Sequence, residues 1–147
     1  YVDMTVSGFL RHVGKLKGMS SADVERRLPE VLDLVDIAAR KDQVIGTLSH
    51  GYQKRVGIAQ AVIHNPKLVI LDEPISGLDP AQIKEMRAVI RNLRAGRVVI
   101  VSSHILAEIS QTCDRILMLH QGKLVFFGTE DELTRKSGPE RVVITVR

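Results

Sequence analysis

The stretch Lys67-Leu-Val-Ile-Leu-Asp-Glu-Pro74 constrains the fold of this chain more than any other. Consecutive aliphatic residues end in two carboxylates and a proline, and helical patterns lie on either side. An apolar run this short and β-branched, set between helices, predicts a strand buried on both faces. Val98 to Ser102 has the same character. Between the two, Ser76-Gly-Leu-Asp79 reads as a turn. Asp79 can cap the helix that follows, with Pro80 in its first position. Ile83, Met86, Ile90 and Leu93 share one face of that helix, which ends near Gly96. Strand, helix, strand in this rhythm predicts a parallel α/β sheet.

The flanks extend the pattern. Val6, Phe9, Leu10, Val13 and Leu16 line one helical face, with Thr5 as a cap and Gly18 as a stop. A second stripe runs Val24, Leu28, Val31, Val35, Ala38, and Pro29 predicts a kink in it or a fresh helix start. Residues 1–47 thus read as a small helical unit. Leu48-Ser-His-Gly leads into a helix through about His64, which Asn65-Pro66 ends. A short helix is expected near His104. Arg115–Leu119 and Lys123–Phe127 read as strands around a Gln121-Gly122 hairpin turn. Thr129 and Glu132 form a capping box for a last short helix, and Arg141–Val146 begins another strand. Met86 and Met118 read as core, Cys113 as packing in a short helix, and Arg26, Arg27, Arg91 and Arg94 as solvated.

Composition removes whole classes. The chain has 147 residues, 44% apolar and 26% charged, which suits one globular domain rather than a disordered segment. Its net charge of +4 is spread along the chain, unlike the clustered charge of a dedicated nucleic-acid binder. One cysteine, Cys113, excludes a disulfide framework or cysteine zinc site within the chain. No apolar run approaches the roughly 18 residues of a membrane span. The start, Tyr1-Val-Asp-Met-Thr-Val6, lacks the pattern of a signal peptide.

Three places carry candidate chemistry. Ligands in open α/β sheets gather at the carboxyl ends of strands, where Asp72 and Glu73 lie. One such carboxylate alone could be a structural cap. Two adjacent ones alternate faces, so one can hold a hard cation through water and the other can orient an attacking water. His104 follows the second strand and is expected at the same sheet edge. A lone histidine there is usually a cap or a surface residue; beside the acidic pair, its imidazole can serve a terminal phosphate. Ser49-His50-Gly51-Tyr52 opens a helix, whose unpaired N–H groups and partial positive charge suit a phosphate. Taken alone, that tetrapeptide is an ordinary serine N-cap.

Together, Leu48-Ser-His-Gly-Tyr-Gln-Lys-Arg-Val56, Leu68 to Pro74, Ser76-Gly-Leu-Asp79 and His104 resemble the ATP-binding cassette (ABC) ATPases in order and spacing, over nearly the whole chain. The His-Gly-Tyr form, and Met4-Thr5-Val6 ahead of it, look most like ATPase subunits of bacterial exporters. The resemblance implies the C-terminal part of a P-loop NTPase (RecA-like) parallel sheet with a helical ABC subdomain. It divides the chain into a partial helical subdomain (1–47), a signature helix with half of the core (48–128), and the start of a C-terminal extension (129–147). It implies that Ser49, His50, Gly51 and Tyr52 meet ATP held by the opposite subunit. Asp72 would hold Mg²⁺ through water, Glu73 would polarise the attacking water, and His104 would contact the γ-phosphate. Asp79 would belong to the D-loop at the dimer interface. His50 departs from the commoner glycine and Tyr52 from the commoner glutamine.

The implied protein is an ATPase on the cytoplasmic face of the membrane. It pairs with a second ABC subunit, drives a membrane permease through the helical unit, and uses ATP and Mg²⁺ without nucleic acid. The phosphate loop G-x-x-x-x-G-K-[ST] is absent, so the chain reads as a fragment beginning after the Gln loop and inactive alone. Without the strand that precedes that loop, two apolar sheet edges are expected to stand open. DNA-repair and chromosome ATPases of the superfamily insert long coiled coils before the signature, and no sustained heptads occur here. A ribosome-acting relative would carry two cassettes. A non-catalytic partner would not need Asp72, Glu73 and His104 all intact.

Overall fold

Thr5 starts the first helix by accepting a hydrogen bond from the Gly8 N–H at 3.2 Å. In the computed structural model, which describes residues 1–137, this helix is α1 (Val6–Leu16). Ser20 caps α2 (Ser21–Leu34) through the Asp23 N–H at 3.1 Å. The helix runs through Pro29 as one element, so no new helix starts there. Pro29 deprives only the Glu25 carbonyl of its bond, on an exposed side, and burial of Val24, Leu28, Val31 and Leu32 holds the helix across it. Two single 3-10 turns, Ala38–Arg40 and Ile45–Thr47, lead to α3 (His50–Val62).

The strand β1 (Leu68–Asp72) follows, then α4 (Pro80–Leu93) and β2 (Val98–Ser102). Asp79 caps α4 through the Gln82 N–H at 2.9 Å, with Pro80 opening the helix. The two strands pair in parallel with Asp72 opposite Ser102. One core joins α1 to α4 with Val69 and Leu71, in which Val6, Leu10, Val31, Val35, Val62 and Leu93 are all fully buried. The expectation of strands buried on both faces fails. Val69 and Leu71 are covered, whereas Ile70 is 66% and Val98 61% exposed. Of the described elements of this unit, the helices of that core cover the side of Val69 and Leu71 and leave the side of Ile70 open.

The chain divides after His104 into two units. The second begins with α5 (Leu106–Ser110) and continues with an antiparallel hairpin of β3 (Ile116–His120) and β4 (Lys123–Gly128). Gln121 and Gly122, both at positive φ (50° and 74°), make its two-residue turn. In α6 (Glu130–Ser137) the capping box forms reciprocally. Thr129 N–H donates to Glu132 Oε2 at 2.8 Å, and Glu132 N–H to Thr129 Oγ1 at 3.3 Å.

Three smaller expectations change. Cys113 follows α5 rather than lying in it, because the helix ends at Ser110. Met118 is 38% exposed, on a strand whose described neighbours leave one face open. Arg27 is largely covered and pairs with Glu30 one turn on, so it is not a solvated face. The strand expected at Arg141–Val146 lies outside the described residues.

Candidate functional site

Parallel pairing fixes the first part of the site. Register places Ser102, the last residue of β2, directly beside Asp72, the last of β1. The Ser102 hydroxyl donates to Asp72 Oδ1 and accepts the Glu73 N–H at 3.0 Å. Just past β1 the chain turns sharply, and Glu73 adopts φ 46°. A non-glycine residue in this left-handed region costs about 1–2 kcal/mol, so surrounding contacts must hold it. The Glu73 carboxylate then meets His104. Oε1 accepts from the His104 backbone N–H at 3.1 Å and lies 2.9 Å from the ring Nδ1. Asp72, Glu73 and His104 therefore converge at one strand end. Among the described residues, Asp72 Oδ2 and Glu73 Oε2 carry no hydrogen bond, so each carboxylate has one oxygen tied and one available.

The acceptor chemistry suits a hard cation that keeps most of its water. Asp72 offers one carboxylate oxygen, and no group of three His, Cys, Asp or Glu that could cage a metal occurs among the described residues. That is the donor set magnesium accepts when phosphates and waters fill its remaining positions.

The start of α3 forms the second part. Ser49 is its N-cap, yet the hydroxyl makes no capping bond. Thr5, Ser20 and Asp79 all make theirs. The exposed Ser49 hydroxyl thus leaves the first N–H groups of α3 uncapped, an arrangement that favours an anion. His50 packs toward the turn before α4: a Cβ on Gly77 would lie 3.7 Å from His50 Nε2. A Cβ on Gly51 would come within 3.3 Å of the Gln82 side chain, so a glycine lets α3 and α4 approach closely. The Tyr52 ring is flanked by the guanidinium groups of Arg40 and Arg55, at 5.1 and 5.3 Å from its centroid. Tyr52 is therefore half-buried between cations rather than presented outward with Ser49.

No hydrogen bond or ion pair joins Ser49, His50 or Gly51 to Asp72, Glu73 or His104 among the described residues. One turn further along α3, however, Lys54 reaches the turn carrying Glu73. Its ammonium donates to the carbonyl oxygens of Glu73 (3.1 Å), Pro74 (3.3 Å) and Ser76 (2.6 Å). Beside it, Arg55 is buried and bonds Asp36 Oδ2 at 2.8 Å and Glu85 Oε2 at 2.5 Å. Sequence reasoning missed Ser102, Lys54 and Arg55. Ser102 was within reach, since strand pairing alone sets it beside Asp72. Lys54 and Arg55 read as ordinary helix cations until the fold brings other elements against them.

Comparison with known proteins bears on the family and the fold. Residues 3–76 match the family described as ABC transporter. An uncharacterized ABC transporter ATP-binding protein of Nostoc sp. is 49% identical over 117 residues, covering 76% of this chain and 35% of the relative. The bacitracin transport ATP-binding protein BcrA of Bacillus licheniformis is 39% identical over 127 residues, covering 85% of this chain and 40% of the relative. The chain thus spans half or less of these curated relatives. A solved ATP binding subunit of an ABC transporter superposes with a TM-score of 0.73 at 32% identity, over 94% of this chain and 58% of that one. With an α/β fold of the P-loop NTPase type and a family match over half its length, this chain belongs to the ABC transporter family.

Proposed function

We propose that the protein carrying this chain is the nucleotide-binding subunit of an ABC exporter. It hydrolyses ATP at an interface between two such subunits and drives a membrane permease from the cytoplasmic face. One observation carries the hydrolytic reading: two adjacent carboxylates at a strand end, each with one oxygen fixed and one open, beside a histidine. Export is supported by the His-Gly-Tyr form of the signature and by the likeness to a bacitracin transport protein.

In this reading Asp72 holds Mg²⁺ through water, and the bound ion offsets charge on the phosphates. Glu73 accepts a hydrogen bond from the attacking water through its open oxygen and aims it at the γ-phosphate. His104 fixes the other oxygen of Glu73. With Nδ1–H donating to Glu73, its Nε2 donates to a phosphate oxygen only when the ring is protonated. Ser49, with the first N–H groups of α3, receives the γ-phosphate of ATP held by the opposite subunit. Gly51 lets α4 pack closely behind the start of α3, and His50 and Tyr52 stand on either side of it in the chain. Asp79 holds the turn that meets the second subunit, and the helical unit of residues 1–47 docks the permease. The phosphate loop comes from sequence outside this chain. Charge-assisted hydrogen bonds contribute about 1.5–3 kcal/mol each, so the chain alone binds ATP negligibly.

The test is Glu73→Gln in the complete protein. ATP turnover is expected to fall by about a hundredfold or more, while nucleotide binding and nucleotide-driven dimerisation persist. Turnover surviving the change would remove Glu73 from the role given to it.

A further inference from the structure

The loop after β1 presents an unusual demand. Glu73 holds a left-handed backbone conformation, and the turn that follows leaves several carbonyls pointing the same way. The Ser76 N–H returns to the Glu73 carbonyl at 3.2 Å, which closes the turn but does not satisfy the remaining oxygens. Lys54 meets the demand with three ammonium donors on three carbonyls. Its reach is 19 to 22 residues in sequence, from one element to another. The same helix begins four residues earlier with His50, which packs toward Gly77 of the same loop. At the far side, Ser102 accepts the Glu73 N–H. Glu73 is thus gripped at its carbonyl by α3, at its N–H by β2 and at its carboxylate by His104.

From this geometry we propose that Lys54 is a positioning residue. It ties α3 to the turn bearing Glu73, so that seating an anion at the start of α3 and aiming the Glu73 carboxylate are one mechanical event. The inference rests on the hydrolytic reading of Glu73 above. Lys54 touches no reacting atom. A rigid helix transmits a shift of its first turn to Lys54 one turn on, and the three carbonyl bonds pass it to the backbone of Glu73. A compact ammonium suits three converging acceptors, whereas a methionine of similar length offers no donor.

The experiment compares Lys54→Met, Lys54→Gln and Glu73→Gln in the complete protein, each with thermal unfolding recorded. Lys54→Met is expected to lower kcat for ATP about tenfold or more while KM moves less than about threefold, because ground-state binding does not use this lysine. Lys54→Gln, which restores two N–H donors on a side chain one methylene shorter, is expected to recover part of that loss. A purely structural lysine would lower the unfolding temperature of both variants without separating kcat from KM. Equal kcat in Lys54→Met and wild type, parallel losses in kcat and KM, or no rescue by glutamine would each overturn the proposal. If Glu73→Gln abolishes turnover and Lys54→Met does not, only the positioning role falls. If Glu73→Gln retains turnover, the hydrolytic reading falls and takes this inference with it.

Discussion

The helical layer of residues 6–63 and the strands that follow it bury their apolar residues on different terms. In that layer, Val6, Leu10, Val31, Val35, Val62 and Ile63 are shut off completely from solvent. In β1 and β2 the aliphatics run without a break, yet Leu68, Ile70, Val98 and Ile100 stand 50–66% exposed. The hairpin of β3 and β4 repeats the contrast within its own unit, where Phe126 is buried and Leu119 is 67% exposed. The helices write their stripe for one neighbour and find it within the chain. The strands are apolar on both faces, and the described residues cover only one. Contiguous apolar surface of this kind promotes association.

The largest expected effect separates the two terms directly. Leu10→Ala removes a fully buried side chain and is expected to cost about 2–5 kcal/mol in urea unfolding of the chain. Ile70→Ala, on the open face, should change stability by less than about 0.5 kcal/mol in the same measurement. A large loss from Ile70→Ala would show that its face is covered in solution and would erase the contrast.

A second comparison sharpens it at helix starts. Asp79→Ala deletes a working cap and is expected to lower stability by about 1 kcal/mol. Ser49→Ala deletes a hydroxyl that caps nothing, so the unfolding midpoint should hardly move, whereas nucleotide-driven dimerisation of the complete protein should weaken. Equal stability losses at both positions would mean that Ser49 is simply a cap.

The smallest effect concerns pH. Burial, reinforced by the positive charge of Lys17, holds the His64 pKa below its ordinary 6.5. The unfolded chain therefore binds a proton more readily than the folded one. Stability contributed by neutral His64 is complete above the ordinary value and declines as pH falls through it toward the folded value. A His64→Gln variant should show a flatter acid limb in denaturation curves recorded from neutral to mildly acidic pH.

Much of this was legible because it is local. Thr5, Asp79-Pro80, Gln121-Gly122 and Thr129 to Glu132 act within four residues of themselves, and each forms as its chemistry dictates. Asp72, Glu73 and His104 could be placed at one edge because strand order brings them there. What escaped was set by distant packing. Pro29 stays helical because the stripe beneath it is buried, which no window of sequence weighs against the lost bond. The open faces of β1 and β2 depend on how many layers surround them, and an aliphatic run reads the same either way. Lys54 gave no signal at all, since its three acceptors lie 19 to 22 residues away.

The hairpin tip has a practical consequence. Gln121 and Gly122 turn the chain through their own positive-φ backbone, at an exposed end of two paired strands. Foreign sequence spliced between them would leave the ladder from Ile116 to Gly128 able to form. A fluorophore carried there would label the second unit while leaving every residue of the acidic pair unaltered.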